Sequence, residues 1–237
     1  IPQAAFSGSE NLKEINIPST VKEIGKYAFA ATGIEKIVIP ASVEKIAANI
    51  VRGCVNLTEV TMPGNFECLG SDVAKYYTDR ALTRIEHNRK IETVKFNTPL
   101  NIDVITSIPT NNFEVMENDP NYKSINGVIY SKDGKILYYF PRSKSQSYKL
   151  ITSAEVIENK AFYNCTSLKK IDLNKAKKIN SNGISQCKNL KEIVSNNISR
   201  IEEQGINNTA IKQIKLNQKA KLDIRAVDSN ILIKTNK

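Results

Sequence analysis

The residues with the clearest potential for covalent chemistry are the 4 cysteines and the single histidine of this 237-residue chain. Cys165 stands in the segment "IENKAFYNCTSLKKIDL" (157–173). A catalytic cysteine needs a neighbouring base, most often a histidine, to become a thiolate. The one candidate, His87, lies in a charged segment, whereas Cys165, Cys54 and Cys187 hold positions that a repeat, described below, points inward. We therefore expect no cysteine–histidine dyad.

Other reactive or ligand-binding motifs are missing from the sequence. It contains no Cys-x-x-Cys or His-x-x-x-His pair of the kind that holds zinc. A glycine-rich phosphate loop and a nucleophile elbow are absent as well. Adjacent carboxylates such as Glu202 and Glu203 lie at variable positions and indicate solvated surface. The sequence predicts no metal, no cofactor and no enzymatic activity.

A structural role for the cysteines has two versions. Cys165 and Cys187 are 22 residues apart, one step of the repeat. Stacked coils separated by about 4.8 Å would place them within disulfide reach, since disulfides span Cα distances of about 4.4–6.8 Å. Thr32 and Thr209 occupy the same register, so the coil does not require a bond there. Free, buried thiols are the favoured interpretation, and the disulfide is the alternative.

An internal repeat with a step of 22 or 23 residues organises most of the chain. Each copy contains an apolar residue, an isoleucine three positions later, and a bulky apolar residue. It closes with Leu/Ile-x-x-Ile/Val-x-apolar, and this closing strand recurs seven times. Four copies align directly: 21–40, 154–173, 176–194 and 198–216.

The repeat predicts a solenoid. In "IEKIVI" the alternation points Ile37 and Ile39 to one side of a strand, and one coil cannot bury that side alone. Stacked coils can, with their strands paired in parallel. Proline follows the strand at positions 18, 40 and 63, where it ends the ladder and turns the chain. Ala28-Phe29 and Ala161-Phe162 are expected to pack inward from a short helical turn.

The segments "IPSTVKEIGKYAFAATGIEKIVIP" and "IENKAFYNCTSLKKIDL" resemble the BspA-like leucine-rich repeat family of bacterial surface proteins. The resemblance covers about 1–70 and 150–220 directly. We expect an α/β repeat solenoid: one right-handed coil of leucine-rich-repeat type over residues 1–237, with parallel strands and an inserted β-hairpin. The pattern slips in 217–237, as expected of a terminal or capping coil.

Two insertions interrupt the repeat. Residues 71–90 predict a helix, which would cover a gap in the core or project toward a partner. Residues 119–141 contain two alternating runs around Lys132-Asp133-Gly134, a strong hairpin signal. The same type of hairpin is familiar in BspA-like proteins. Its tyrosines, which would either present an exposed contact surface or pack against adjoining coils, are Tyr130, Tyr138 and Tyr139.

Positive charge is concentrated at one end of the chain. The net charge is +10; residues 1–159 carry 18 Lys and Arg against 18 Asp and Glu, and residues 160–237 carry 16 against 6. Such a field favours anionic partners, including acidic glycans. The favoured interpretation, however, is that lysine and asparagine are simply the preferred solvent-facing residues. Nucleic acid is disfavoured because the basic residues are not interleaved with stacking aromatics. No run of apolar residues is long enough to span a membrane.

The outward residues of the strands form the candidate contact surface, and alternation alone does not separate a binding face from a solvated one. The candidates are Asn16, Lys36, Val38, Thr61, Lys95, Lys170, Asp172, Val194, Lys212 and Lys215. Family resemblance implies an extracellular or cell-surface module that binds a matrix or host-cell protein. Two alternatives stay open: a module that binds an acidic glycan or another anionic polymer through the basic last third, and a passive structural stalk.

Overall fold

The computed structural model describes residues 1–69, 91–105 and 110–235, and the chain divides into two compact units, Ile1–Tyr122 and Lys123–Lys237. The helix predicted for 71–90 lies outside the described residues. Each unit is a β-solenoid of stacked coils built from short strands that pair mainly in parallel with the equivalent strand of the next coil.

Among its described residues, the first unit contains seven complete strands and one short 3-10 helix. They are β1 (Glu23–Ile24), β2 (Lys36–Val38), β3 (Lys45–Ala47), β4 (Glu59–Met62), β5 (Glu67–Leu69), β6 (Thr93–Phe96), η1 (Ile102–Ile105) and β7 (Asn112–Glu114). Strands β1, β3 and β5 form one parallel sheet, and β2, β4, β6 and β7 form a second.

The register of the second sheet follows the predicted alternation. Ile37 of β2 pairs with Val60, Val60 with Val94, and Val94 with Phe113, and all four side chains are buried. The match between Val60 and Val94 survives the 34-residue spacing that the insertion creates. After β2, Pro40 accepts a hydrogen bond from the Val43 amide at 3.0 Å, so the proline starts a turn as predicted.

The second unit contains the remaining strands, with β8 beginning at Tyr122. They are β8 (Tyr122–Ile125), β9 (Val128–Ser131), β10 (Ile136–Tyr139), β11 (Ser147–Lys149), β12 (Val156–Ile157), β13 (Phe162–Tyr163), β14 (Lys170–Asp172), β15 (Lys178–Ile179), β16 (Ile184–Ser185), β17 (Glu192–Val194), β18 (Arg200–Ile201), β19 (Ile206–Asn207), β20 (Gln213–Leu216), β21 (Lys221–Leu222) and β22 (Leu232–Thr235).

Most of these strands form three parallel stacks that run through successive coils. The stacks are β11-β14-β17, β13-β16-β19 and β12-β15-β18-β21, and β20 and β22 pair separately. The predicted hairpin is confirmed as the antiparallel pair β9–β10, and β8 extends it through a turn at Asn126 and Gly127, both with positive φ. Strand β10 then pairs in parallel with β12, which joins the hairpin to the solenoid.

The α component of the predicted α/β class is not confirmed. Apart from η1, the described residues contain strands, turns and coil. Ala28 and Phe29 lie between Tyr27 and Ala31, whose φ angles are +59° and +52°. A left-handed residue cannot continue an α-helix. In the second unit Lys160 and Asn164 flank Ala161-Phe162 in the same way, and Phe162 begins β13 instead of a helical turn.

Each unit buries the apolar residues of its own repeats. In the first unit the rings of Phe6 and Phe29 stack with centroids 5.7 Å apart. In the second, Phe140 lies 5.0 Å from Phe162 and 4.7 Å from Tyr148. Residues 217–235 form one further coil, because β21 pairs with β18 and β22 with β20. In the described ranges, no helix has the length and apolarity that crossing a bilayer requires.

Candidate binding faces

The first strand face consists of the outward residues of β2, β4, β6 and β7. Parallel pairing places them in two columns across the coils. One column is Lys36, Glu59, Thr93 and Asn112, and the other is Val38, Thr61, Lys95 and Glu114. Val38 is 56% exposed, which is unusual for an apolar residue within a strand. The predicted residues Lys36, Val38, Thr61 and Lys95 therefore do share one face.

Ion pairs hold the charges of the first strand face in place. The Lys95 ammonium lies 3.0 Å from a carboxylate oxygen of Glu59 and 3.7 Å from one of Glu114. The hydrogen bond with Glu59 is the largest contribution that raises the pKa of Lys95 above its ordinary value. Lys95 is thus a member of an internal charge cluster. Asn16 is exposed but belongs to the coil that precedes β2, outside any strand.

The second strand face consists of the outward residues at 146–149, 169–172, 191–194, 212–215 and 231–234. Lys170 forms an ion pair with Glu192 at 2.7 Å, across the neighbouring strands β14 and β17. Asp172 forms one with Lys149 at 3.5 Å, across β11 and β14. Val194 pairs with Asp172 in the ladder and is half-buried.

Strands β17 and β20 belong to separate sheets, and a side chain bridges them. The hydroxyl of Ser195, which is buried, donates to the carbonyl oxygen of Lys215 at 2.6 Å. Lys212 and Lys215 are exposed, and among the described residues neither has a carboxylate within 4.0 Å. The predicted residues Lys170, Asp172, Val194, Lys212 and Lys215 therefore share the second strand face.

The prediction overlooked several residues of these faces. Glu59 and Glu114 were missed on the first face, and Lys169, Lys191 and Lys234 on the second. The signal that could have found them is register: the position before each closing strand is Lys169, Lys191 and Lys212 in three successive repeats. That the ladder runs as one continuous face over both units stays a prediction.

The hairpin tyrosines behave differently from an exposed contact surface. Tyr130 is fully buried, and its hydroxyl lies 2.6 Å from the hydroxyl of Tyr148. Burial raises the pKa of Tyr130 far above its ordinary value. Tyr139 is only 5% exposed. Of the two alternatives, packing against the adjoining coils, the favoured one, is confirmed for Tyr130 and Tyr139, so these two do not form an exposed contact surface; Tyr138 is half-buried.

The cysteines Cys54, Cys165 and Cys187 are free and buried. Each thiol faces the carbonyl oxygen of the phenylalanine 25 residues earlier, with sulfur–oxygen distances of 3.0, 3.9 and 3.0 Å: Cys54 with Phe29, Cys165 with Phe140, and Cys187 with Phe162. Thr32, in the same register, differs: its hydroxyl donates to the carbonyl oxygen of Phe29, three residues earlier in its own coil, at 2.9 Å. The register thus provides a small buried donor for an inward carbonyl group.

The geometry of Cys165 does not favour nucleophilic chemistry. A hydrogen bond with Cys187, together with burial, raises the pKa of the Cys165 thiol well above its ordinary value. Reactive cysteines are accessible thiolates, so this one is a packing residue. His87 lies outside the described residues. Within the described part of the chain, no group of three or more His, Cys, Asp or Glu side chains is arranged to hold a metal ion.

The chain is similar to several solved structures at low sequence identity. The pneumococcal vaccine antigen PcpA is 19% identical over 91% of this chain and 60% of its own, with a TM-score of 0.47. A leucine-rich cell surface protein from Faecalibacterium prausnitzii is 17% identical over 97% and 66%, with a TM-score of 0.46. A leucine-rich repeat protein from Bacteroides ovatus is 16% identical over 100% and 51%, with a TM-score of 0.40. The chain therefore spans about half to two thirds of these proteins.

The sequence pattern of the repeats identifies the family directly. No curated protein matches the chain closely enough to count as a relative. The pattern of the BspA type leucine-rich repeat region matches six copies, over residues 1–105 and 137–232. Those ranges include most coils of both units and exclude strand β9 of the hairpin. This chain belongs to the family of BspA-type leucine-rich repeat proteins.

Proposed function

We propose that this chain is a secreted or cell-surface binding module that attaches to a protein partner through the first strand face. The observation that carries the proposal is the exposure of Val38, 56%, on a sheet where Lys95 is held by Glu59 and Glu114. Covering an exposed apolar side chain is favourable, and charges that are already paired lose less solvation energy than free charges when a partner covers them. The partner is a protein of the extracellular matrix or of a host-cell surface.

The rigidity of the face supports binding. Its two columns are held by the backbone ladders of four strands, and Lys95 is held between Glu59 and Glu114. Side chains that are ordered before binding lose less conformational entropy on association. Because Lys95 is already paired with Glu59 and Glu114, we expect binding to depend less on salt than a contact made by unpaired charges would.

The proposed location rests on the family. The chain matches six copies of the BspA type leucine-rich repeat region, and its repeats resemble those of bacterial surface proteins. That resemblance supports an extracellular or cell-surface setting. The buried thiols and the paired carboxylates of the described residues support a binding role without catalysis.

The test compares two valines with the same exposure. The full chain is applied to purified matrix proteins and to host cells, and Val38→Glu is compared with Val55→Glu. Val55 is also 56% exposed but lies in a turn outside the first strand face. We expect Val38→Glu to weaken binding about tenfold or more, and Val55→Glu to change it by less than about twofold.

Three outcomes would contradict the proposal. Equal losses in the two variants would show that the contact lies elsewhere. Loss of binding at moderate salt would show a charge-driven contact instead of this one. Absence of binding to every matrix protein and cell type would favour the passive stalk.

A further inference from the structure

The second strand face carries an ordered row of lysines. Lys169, Lys191 and Lys212, the lysine row, hold the same position in three consecutive coils, and all three are exposed. The Lys191 amide donates to the Lys169 carbonyl at 2.9 Å, and the Lys212 carbonyl accepts from the Leu232 amide of the next coil at 2.8 Å. Strands β14 and β17 pair in parallel, so the backbones at Lys169 and Lys191 lie about 4.8 Å apart, and the hydrogen bond from Ser195 to Lys215 joins the coil of Lys191 to that of Lys212.

The charge of this face is not balanced. Its five four-residue segments contain seven lysines and two carboxylates, a net charge of +5. Both carboxylates are taken, Asp172 by Lys149 and Glu192 by Lys170. Five lysines of the face have no carboxylate within 4.0 Å among the described residues: Lys169, Lys191, Lys212, Lys215 and Lys234.

A second sheet in the same unit shows that this imbalance is local. On the stack β12-β15-β18-β21, three cations have partners in or near the neighbouring coil: Lys177 with Glu155 at 3.1 Å, Lys178 with Glu202 at 2.6 Å, and Arg200 with Asp223 at 3.4 Å. The first strand face, counted over the equivalent segments 35–38, 58–61, 92–95 and 111–114, has two lysines and four glutamates. A general preference for solvent-facing lysine would not produce this difference.

We propose that the second strand face binds a linear acidic polysaccharide along the lysine row. Ammonium groups repeated at the coil step suit a polymer that carries sulfate or carboxylate groups at regular intervals. The row contains no arginine, the residue best suited to bidentate phosphate recognition. The one aromatic residue of the face, Tyr148, is half-buried, and its hydroxyl is engaged by Tyr130, so no platform exists for stacking nucleobases.

This site is separate from the one proposed for protein binding. It lies in the other unit, uses other residues and relies on charge instead of exposed apolar surface. Variants of Val38 should therefore leave polysaccharide binding unchanged, and the two proposals can fail independently.

The experiment measures binding of the full chain to a heparin oligosaccharide and to hyaluronate by titration calorimetry at about 50 mM NaCl, where the Debye length still exceeds the coil step. The test variant is Lys191→Glu with Lys212→Glu. The control is Lys13→Glu with Lys36→Glu, which changes the net charge equally on exposed residues of the first unit. We expect the test variant to bind about tenfold more weakly or worse, and the control to change by less than about twofold.

A milder variant, Lys191→Ala with Lys212→Ala, removes the two charges without reversing them and is used if charge reversal disturbs folding. The unfolding midpoint of each variant is compared with that of the parent chain. The proposal is overturned if neither polysaccharide binds, or if the control loses as much affinity as the test variant. It is also overturned if duplex DNA of equal charge binds as tightly as the heparin oligosaccharide, since that result would indicate a nucleic-acid partner.

Discussion

Replacing Cys187 by threonine and by valine separates two roles of this buried side chain. Its thiol is fully buried and lies 3.0 Å from the carbonyl oxygen of Phe162. Threonine and valine are close in size, but only threonine can donate a hydrogen bond. Because Thr32 fills the same register in the first unit, the position accepts a β-branched side chain. The comparison therefore isolates the value of the donor.

The expected magnitude follows from what the carbonyl group loses. A buried polar atom left without its partner costs about 1–3 kcal/mol, so Cys187→Val should be less stable than Cys187→Thr by that amount. Cys54 provides a matched control. Its sulfur is also 3.0 Å from a carbonyl oxygen, that of Phe29, but the Thr32 hydroxyl donates to the same oxygen at 2.9 Å. The valine and threonine variants of Cys54 should differ by less than about 0.5 kcal/mol.

The free energy of unfolding is measured by urea titration, with circular dichroism as the signal and with the m-value required to stay unchanged. Because the chain has two compact units, each pair of variants is compared through the transition that it shifts. The reasoning is refuted if valine and threonine are equally stable at position 187. It is also refuted if the difference at position 54 is as large as that at 187.

Two further predictions concern buried and charged pairs in the second unit. Tyr130→Phe and Tyr148→Phe should each lower the unfolding free energy by about 1 kcal/mol, because each removes one hydroxyl of a pair that is 2.6 Å apart and leaves the other without this partner. The double variant should lose less free energy than the sum of the two single losses. Additive losses in urea titration would contradict this prediction. The hydrogen bond from Lys178 lowers the pKa of Glu202 below its ordinary value of 4.5. The ionised Glu202 therefore stabilises the fold at pH values above 4.5, and this stabilisation is lost as the pH falls through the lowered pKa. The melting temperature should therefore fall less between about pH 6 and pH 3 in Glu202→Gln than in the parent chain, and an equal fall would contradict the assignment.

The repeat and its strand register could be predicted because the relevant signals are local. Alternation around Ile37 and the spacing of the closing strands are visible in a window of one coil. Stacking then follows because each apolar side has to be covered by the next copy. The pairing of Val60 with Val94 shows that this holds even across a long insertion, since the register depends on the strand pattern and not on the length of the loop.

The helical turns predicted around Ala28-Phe29 and Ala161-Phe162 were wrong, because residue type alone does not determine the backbone conformation of these segments. Pairs of left-handed residues four positions apart recur along the chain, as in Tyr27 with Ala31, Lys160 with Asn164, and Gln204 with Asn208. At least one member of each of these pairs is neither glycine nor asparagine. Isolated residues of most of these types avoid positive φ. Hydrogen bonds to the next coil, such as Ala31 to the Arg52 carbonyl at 2.7 Å, stabilise them.

The candidate faces were predicted in part for a related reason. Exposure of Lys36, Val38 and Lys212 follows from alternation, which is a property of a single strand. Whether a charge is available to a partner depends on the next coil, which lies about 22 residues away in sequence. Lys95 is held by Glu59 and Glu114, whereas Lys212 has no carboxylate beside it among the described residues.

The sequence by itself determined the solenoid, its family, the parallel register, the hairpin and the inward position of the cysteines, because each depends on a pattern that repeats within one or two coils. The tertiary structure alone decided which tyrosines of the hairpin are buried, which donor serves each inward carbonyl group, and which lysines keep an uncompensated charge. These properties depend on distances between neighbouring coils. Periodicity specifies which residues become neighbours, and only packing specifies how closely their polar atoms meet.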